Sequence, residues 1–183
     1  MMHHDDTQLI GQILNGDVSG YAILVERYKD LAYTIAFRIL GKREDSEEIV
    51  QDAFVKAFRS LSSFRQHAKF STWLYRIVYN TAISKKRLKG LSIQSIEDVR
   101  LADPCTENVD DTVDDQGKML EMAMQQLTEE ERALVTLYYI EESGVDEIHN
   151  ITGLSKSNVK VKLFRARKKL QEFVRKPSIL LYS

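Results

Sequence analysis

Residues 145–170 read VDEIHNITGLSKSNVKVKLFRARKKL, and the fold of the C-terminal part of the chain turns on them. A short amphipathic segment runs up to Gly153, a turn signal. Ser155 then offers an N-capping oxygen to a second, longer helix, which Pro177 cannot extend. A helix, a glycine turn and a second helix in this order predict a helix-turn-helix. On a helical wheel Val159, Leu163, Ala166, Leu170 and Phe173 share one face, the expected core. Ser157, Val161, Phe164, Arg165 and Lys168 share the opposite face.

The outer face has the chemistry of a DNA reader. Lys156, Lys160, Lys162, Arg165, Arg167, Lys168 and Lys169 crowd residues 155–170, which contain no acid. A recognition helix needs short polar or donor side chains at its N-terminus to reach base edges, and cations along its flanks to hold phosphates. Ser155, Lys156, Ser157 and Asn158 stand at that N-terminus, where free backbone N–H groups also favour a phosphate. Lys160, Arg165 and Lys168 flank it. Val161 and Phe164 also point outward; thymine methyl groups, a partner surface or the tail SILLYS would each suit them, and the sequence leaves that open. A helix lying on a membrane surface fits less well, because the apolar stripe is already needed to pack the preceding helices.

Outward from this stretch, the 183 residues carry 43% hydrophobic side chains, two prolines and eight glycines, a composition that favours helix and is rich enough to bury a core. The expected class is all-α, as two small helical domains joined by a flexible acidic linker. A first helix is predicted over about 6–15. Ser19 is the expected cap of a second, which carries Leu24, Tyr28, Leu31, Ile35 and Ile39 at steps of three and four and stops at Gly41. Asp45 and Glu48 form a capping-box-like start for a third, striped by Ile49, Ala53, Phe54, Ala57 and Leu61. A fourth runs over about 71–88 through Trp73, Leu74, Ile77, Val78 and Ile83. Shorter helices follow over about 118–126, 129–142 (with Thr128 and Glu131 as a capping box) and 145–151, before the last helix to about 176.

The formal net charge of -1 conceals opposing blocks. Arg65, Lys69, Arg76, Lys85, Lys86, Arg87 and Lys89 fall in 60–96 with no acid, whereas 97–117 holds eight acids against Arg100. Two basic modules around an acidic connector suggest a polyanionic partner. The expected boundaries are an N-terminal module at 6–90, a linker at 91–117, a C-terminal module at 118–176 and a tail at 177–183.

In the N-terminal module, FRQHAKFSTWLYRIVYNTAISKKRLKG interleaves Phe64, Phe70, Trp73, Tyr75 and Tyr79 with cations. Rings on which bases stack, beside cations that hold the backbone, suit unpaired DNA. Aromatic residues at helical spacing are more often core, and Trp73 is expected to be mainly structural. The amide of Asn80 both donates and accepts, the pairing chemistry needed to read an extruded base.

DSEEIVQDAFVKAF, FSTWLYRIVYNTA and NVKVKLFRARKKL, in that order over residues 9–174, resemble the extracytoplasmic-function sigma factors of bacterial RNA polymerase, within the sigma-70 family. The resemblance implies that the first module binds core polymerase and reads and melts the minus-ten element, while the helix-turn-helix reads minus thirty-five. It assigns Glu48, Gln51, Asp52, Val55 and Phe58 to the polymerase grip. It places Phe64, Arg65 and Asn80 at the pocket for a flipped minus-ten base, with Lys69, Arg76 and Lys85 near phosphates. It also implies an anti-sigma protein that clamps both modules.

No enzymatic activity, metal or cofactor is expected: His3, His4, His67 and His149 are scattered, Cys105 is alone in acidic surroundings, and no glycine-rich phosphate loop appears. No apolar run approaches the roughly 20 residues of a membrane span. The start MMHHDDTQ lacks the order of a signal peptide, so a cytoplasmic protein is expected. The alternatives are a stand-alone helix-turn-helix regulator, disfavoured by the aromatic-basic stretch, and a sensor domain with a DNA-binding output, for which no ligand-pocket signature is found.

Overall fold

The computed structural model describes residues 3–65, 68–94 and 115–175, and among them the regular structure is entirely helical. The elements are α1 (His3–Leu14), α2 (Gly20–Leu40), α3 (Arg43–Arg59), a 3-10 turn (Leu61–Ser63), α4 (Phe70–Gln94), α5 (Asp115–Met124), α6 (Glu129–Tyr139), α7 (Val145–Thr152) and α8 (Lys156–Val174). Residues 95–114, which hold most of the acidic connector together with Cys105, lie outside the described residues, as does the tail 177–183.

Helices α2, α3 and α4 pack pairwise into a bundle, with α1 against α2 and the 3-10 turn. The expected stripes form its centre: Leu24, Ile35 and Ile39 of α2, Ile49, Ala53, Phe54 and Ala57 of α3, and Leu74 and Val78 of α4 are buried. Gly41 ends α2 at φ 70°, a left-handed conformation costly for other residues, and its N–H donates to the Phe37 carbonyl at 2.8 Å. Asp6 of α1 is buried because Arg27 and the Tyr28 hydroxyl both bond its carboxylate. Burial first, then that carboxylate, pushes the Tyr28 phenol up.

The second module is built on α6, α7 and α8, with α5 against α8. Ile148, Ile151, Val159, Leu163 and Ala166 are buried; Leu170 and Phe173, expected in the same core, are half-buried. Thr128 and Glu131 make the predicted capping box. Helix α6 ends at Tyr139 rather than near 142, because Glu142 turns left-handed (φ 51°) and the Ser143 N–H donates back to the Leu137 carbonyl.

Two predicted caps are not formed. Ser19 has helical torsions and makes no capping bond; its N–H and hydroxyl both donate to Asp17, at 3.1 and 2.6 Å. Helix α3 begins two residues before Asp45, with Lys42 at the cap position and no side-chain cap bond. Asp45 and Glu48 instead face lysines of α4, which use the carboxylates for tertiary pairing.

The two modules are packed together. Helix α6 lies on α2 and α7 on α4, so the buried apolar residues of both form one continuous cluster from Leu9 to Ala166.

Candidate nucleic-acid interface

Helix α3 presents one open face. Glu48, Gln51, Asp52, Val55 and Phe58 recur at steps of three and four and all are exposed, Val55 at 47% and Phe58 at 42%. Exposed apolar side chains beside carboxylates suit a protein partner more than water. Phe58 is steadied from below by the Tyr21 ring, 4.9 Å away edge-on, whose hydroxyl donates to the Phe54 carbonyl at 2.5 Å. Glu48 also pairs with Lys85.

The aromatic-basic stretch divides into two parts. Phe64 is half-buried, its ring 5.8 Å from Phe70 and 5.3 Å from Trp73, and Phe70 in turn meets Tyr28 at 5.6 Å. These rings form one packed cluster, with Trp73 half-buried within it. Arg65 and Lys69 stand exposed beside it, and Arg76 and Asn80 are exposed one turn apart on α4. Lys85 lies elsewhere: it bonds Glu48 and approaches Asp45 at 3.4 Å, tying α4 to α3. Lys89 adds a second bond to Asp45, whose carboxyl is held below its ordinary value chiefly by that lysine. Arg87, exposed and two turns beyond Asn80, continues the Arg76–Asn80 face. In sequence Arg87 belongs to the basic block of 60–96, and its spacing of seven from Asn80 is the signal that sets it on this face. A cavity of about 490 Å³ opens beside Phe64, Lys69 and Phe70.

In the helix-turn-helix, Gly153 closes α7 at φ 75°, its N–H donating to the His149 carbonyl at 2.9 Å. Ser155 caps α8, accepting from the Asn158 N–H at 3.2 Å, so its hydroxyl is committed to the helix start. Lys156, Ser157, Asn158, Lys160, Val161, Arg165 and Lys168 are all exposed on α8. Lys156 pairs with Asp146 at 2.8 Å, and Lys168 approaches Glu172 at 3.8 Å. Both pairs are exposed, and such pairs yield readily to a phosphate. Two other cations face inward: Lys162 bonds Glu130 at 2.5 Å and Lys169 bonds Glu131 at 2.7 Å, fixing α8 to α6. Burial works to raise the Glu131 carboxyl, yet Lys169 and the Thr128 amide hold it below its ordinary value. Arg167 lies 5.5 Å from the centre of the Tyr138 ring. Phe164, 68% exposed, is the boldest apolar side chain on the outer face.

Among the described residues no group of three or more His, Cys, Asp or Glu is placed to hold a metal, and no helix is long and apolar enough to cross a membrane. What the geometry supplies is two exposed, cationic helix faces and one acidic-apolar face.

The comparisons with known proteins cover both modules. The family model for Sigma-70 region 2 matches residues 24–90, and that for Sigma-70, region 4 matches residues 117–170. The ECF RNA polymerase sigma factor SigW of Bacillus subtilis is 31% identical, with 91% of this chain and 95% of the relative covered. The ECF RNA polymerase sigma-E factor of Escherichia coli is 30% identical, over 93% of this chain and 97% of the relative. Among solved structures, CnrH in complex with the cytosolic domain of CnrY superimposes with a TM-score of 0.62 at 23% identity, covering 91% of this chain and 94% of that one. The sigma factor RpoE of Bartonella quintana, in complex with the anti-sigma factor NepR, gives 0.65 at 23% identity, over 86% and 98%. These two likenesses bear on the fold alone. The matches to both regions and the identity along nearly the whole chain place the protein in the sigma-70 family, as an extracytoplasmic-function RNA polymerase sigma factor.

Proposed function

We infer that this chain is a promoter-specificity subunit: it binds core RNA polymerase in the cytoplasm, carries it to promoters and starts DNA-templated transcription, with no catalysis of its own. The observation that carries this reading is the pairing of an acidic-apolar face on α3 with two separate cationic faces, on α4 and α8, in a chain that matches both sigma regions.

Glu48, Gln51, Asp52, Val55 and Phe58 grip the polymerase. Their apolar centre gains by leaving water, and their carboxylates select a basic partner surface. Arg76 and Lys69 hold minus-ten phosphates, and Asn80 pairs with the edge of an extruded base in a pocket shared with Phe64 and Arg65. Lys85 joins them by exchanging its carboxylate partners for phosphate. On α8, Lys156, Lys160, Arg165 and Lys168 hold the minus-thirty-five backbone, while Ser157, Asn158 and Val161 meet base edges and Ser155 orders the helix start. A protein that clamps both modules would withhold these faces, and control by an anti-sigma factor fits a chain whose two reading surfaces lie on modules joined by a connector.

The test is run-off transcription on genomic fragments with reconstituted holoenzyme. Defined start sites that depend on this chain are expected. Binding to DNA without any binding to core polymerase would instead make it a stand-alone regulator.

A further inference from the structure

We propose that the free chain latches itself shut, its C-terminal module acting as an internal substitute for the phosphates that the N-terminal module would bind. The inference rests on the promoter-reading role of the N-terminal module given above, and it needs no second protein.

Among the described residues, three ion pairs join the modules with the same polarity. Arg38 of α2 donates from Nη1 to both carboxylate oxygens of Glu121 at 2.8 Å. Lys86 of α4 meets Glu129 at 2.6 Å, and Lys69 meets Glu147 of α7 at 2.8 Å. In each case the cation comes from the N-terminal module and the acid from the C-terminal one. Carboxylates so placed satisfy the cations much as a DNA backbone would. Lys69 is one of the side chains assigned to minus-ten phosphates, and in the closed form Glu147 holds it. The cavity beside Phe64 and Lys69 has Glu147 and Asn150 of α7 in its wall. The first helix of the helix-turn-helix therefore stands across the aromatic-basic site that melted DNA must enter.

The latch is built to open. Lys69, Lys86 and Glu129 keep between 42% and 48% of their side-chain surface in water, where ion pairs are weak and screened by salt. Arg38 Nε is buried without a hydrogen-bond partner, a defect that opening to water would relieve.

The experiment is small-angle scattering on the full chain, paired with anisotropy of a labelled single-stranded minus-ten oligonucleotide. Glu121→Lys with Glu129→Lys should expand the chain and tighten single-strand binding about tenfold, because a larger fraction is competent to bind. Adding Arg38→Glu and Lys86→Glu rebuilds both pairs with reversed sign at the wild-type net charge, and should restore compactness and the weaker affinity together. Glu121→Gln with Glu129→Gln should shift both readouts in the same direction as the double reversal, by less. Tighter binding without expansion would reduce the effect to bulk charge and overturn the latch, as would a four-residue swap that stays open. Start sites from wild-type holoenzyme report separately on the promoter-reading role, whichever way the scattering falls.

Discussion

The two basic helices α4 and α8 invite comparison, because both are rich in cations and use them differently. In α8 the division is by face: Lys162 and Lys169 turn inward to Glu130 and Glu131, while Lys156, Lys160, Arg165 and Lys168 stay exposed. In α4 the division also runs along the helix. Arg76 and Asn80 are exposed in its first half, whereas Lys85 and Lys89 bind α3 and Lys86 reaches the other module. The lesson is that a run of lysines in sequence is a reservoir from which tertiary structure draws latches before any remain for DNA.

The largest expected effect tests whether the two modules share one core. Leu163→Ala removes a fully buried side chain of α8 and should cost about 2–5 kcal/mol, read as a lowered urea midpoint. Because the buried cluster runs through both modules, unfolding should remain a single transition at low salt. Two separated transitions in the wild-type chain would break that reading.

The next effect separates reading cations from structural ones on α8. Arg165→Ala should weaken duplex binding about tenfold and reduce the salt slope by about one. Lys169→Ala should leave the slope unchanged and lower stability instead, since it strands Glu131. Equal slope changes in the two variants would erase the proposed distinction between faces.

A smaller contrast lies in the caps. Thr128→Ala should cost about 1 kcal/mol, measured by chemical denaturation, because it removes a formed capping bond. Ser19→Ala should cost less, since Ser19 makes no cap bond.

The smallest effect is a pH dependence. The Asp45 carboxyl is held below its ordinary value, first by its bond to Lys89. A lowered folded-state value means stability that is present above the unfolded value and is lost as pH falls through the folded one. Denaturation midpoints measured between pH 5 and pH 3 should therefore fall less steeply in Asp45→Asn than in wild type. The pair is largely solvent-screened, so the difference is modest. Parallel slopes would remove Asp45 from the acid response.

The contrast between α4 and α8 also shows what the sequence could and could not reveal. Periodicity located the described helices and the central stripes of α2, α3, α4 and α8, because an apolar stripe such as Val159, Leu163 and Ala166 is a local property of the chain. The buried residues of α1 and α6, such as Ile10 and Leu134, sit in segments too short to show a stripe so plainly. The Thr128–Glu131 box was legible for the same reason: both partners lie within one turn. The Asp45 and Ser19 caps failed because each side chain found a different partner, Asp45 in Lys89 on another helix and Ser19 in nearby Asp17. The exposed face of α3 was legible through the resemblance to the sigma factors, which picks out residues that share one side of the helix. Which lysines of α4 are already paired was not, since Glu48 and Glu129 come from segments 37 and 43 residues from Lys85 and Lys86 in sequence. The docking of α7 over the aromatic-basic site lies likewise beyond any pattern in one segment.

Promoter reading by this chain is tested by run-off transcription with reconstituted holoenzyme, comparing wild type with Asn80→Ala. Discrete promoter starts are expected with wild type, with loss of those starts in the variant while it still binds core polymerase. Starts that persist undiminished in the variant, or a wild-type chain that binds core polymerase yet initiates nowhere, would contradict that role.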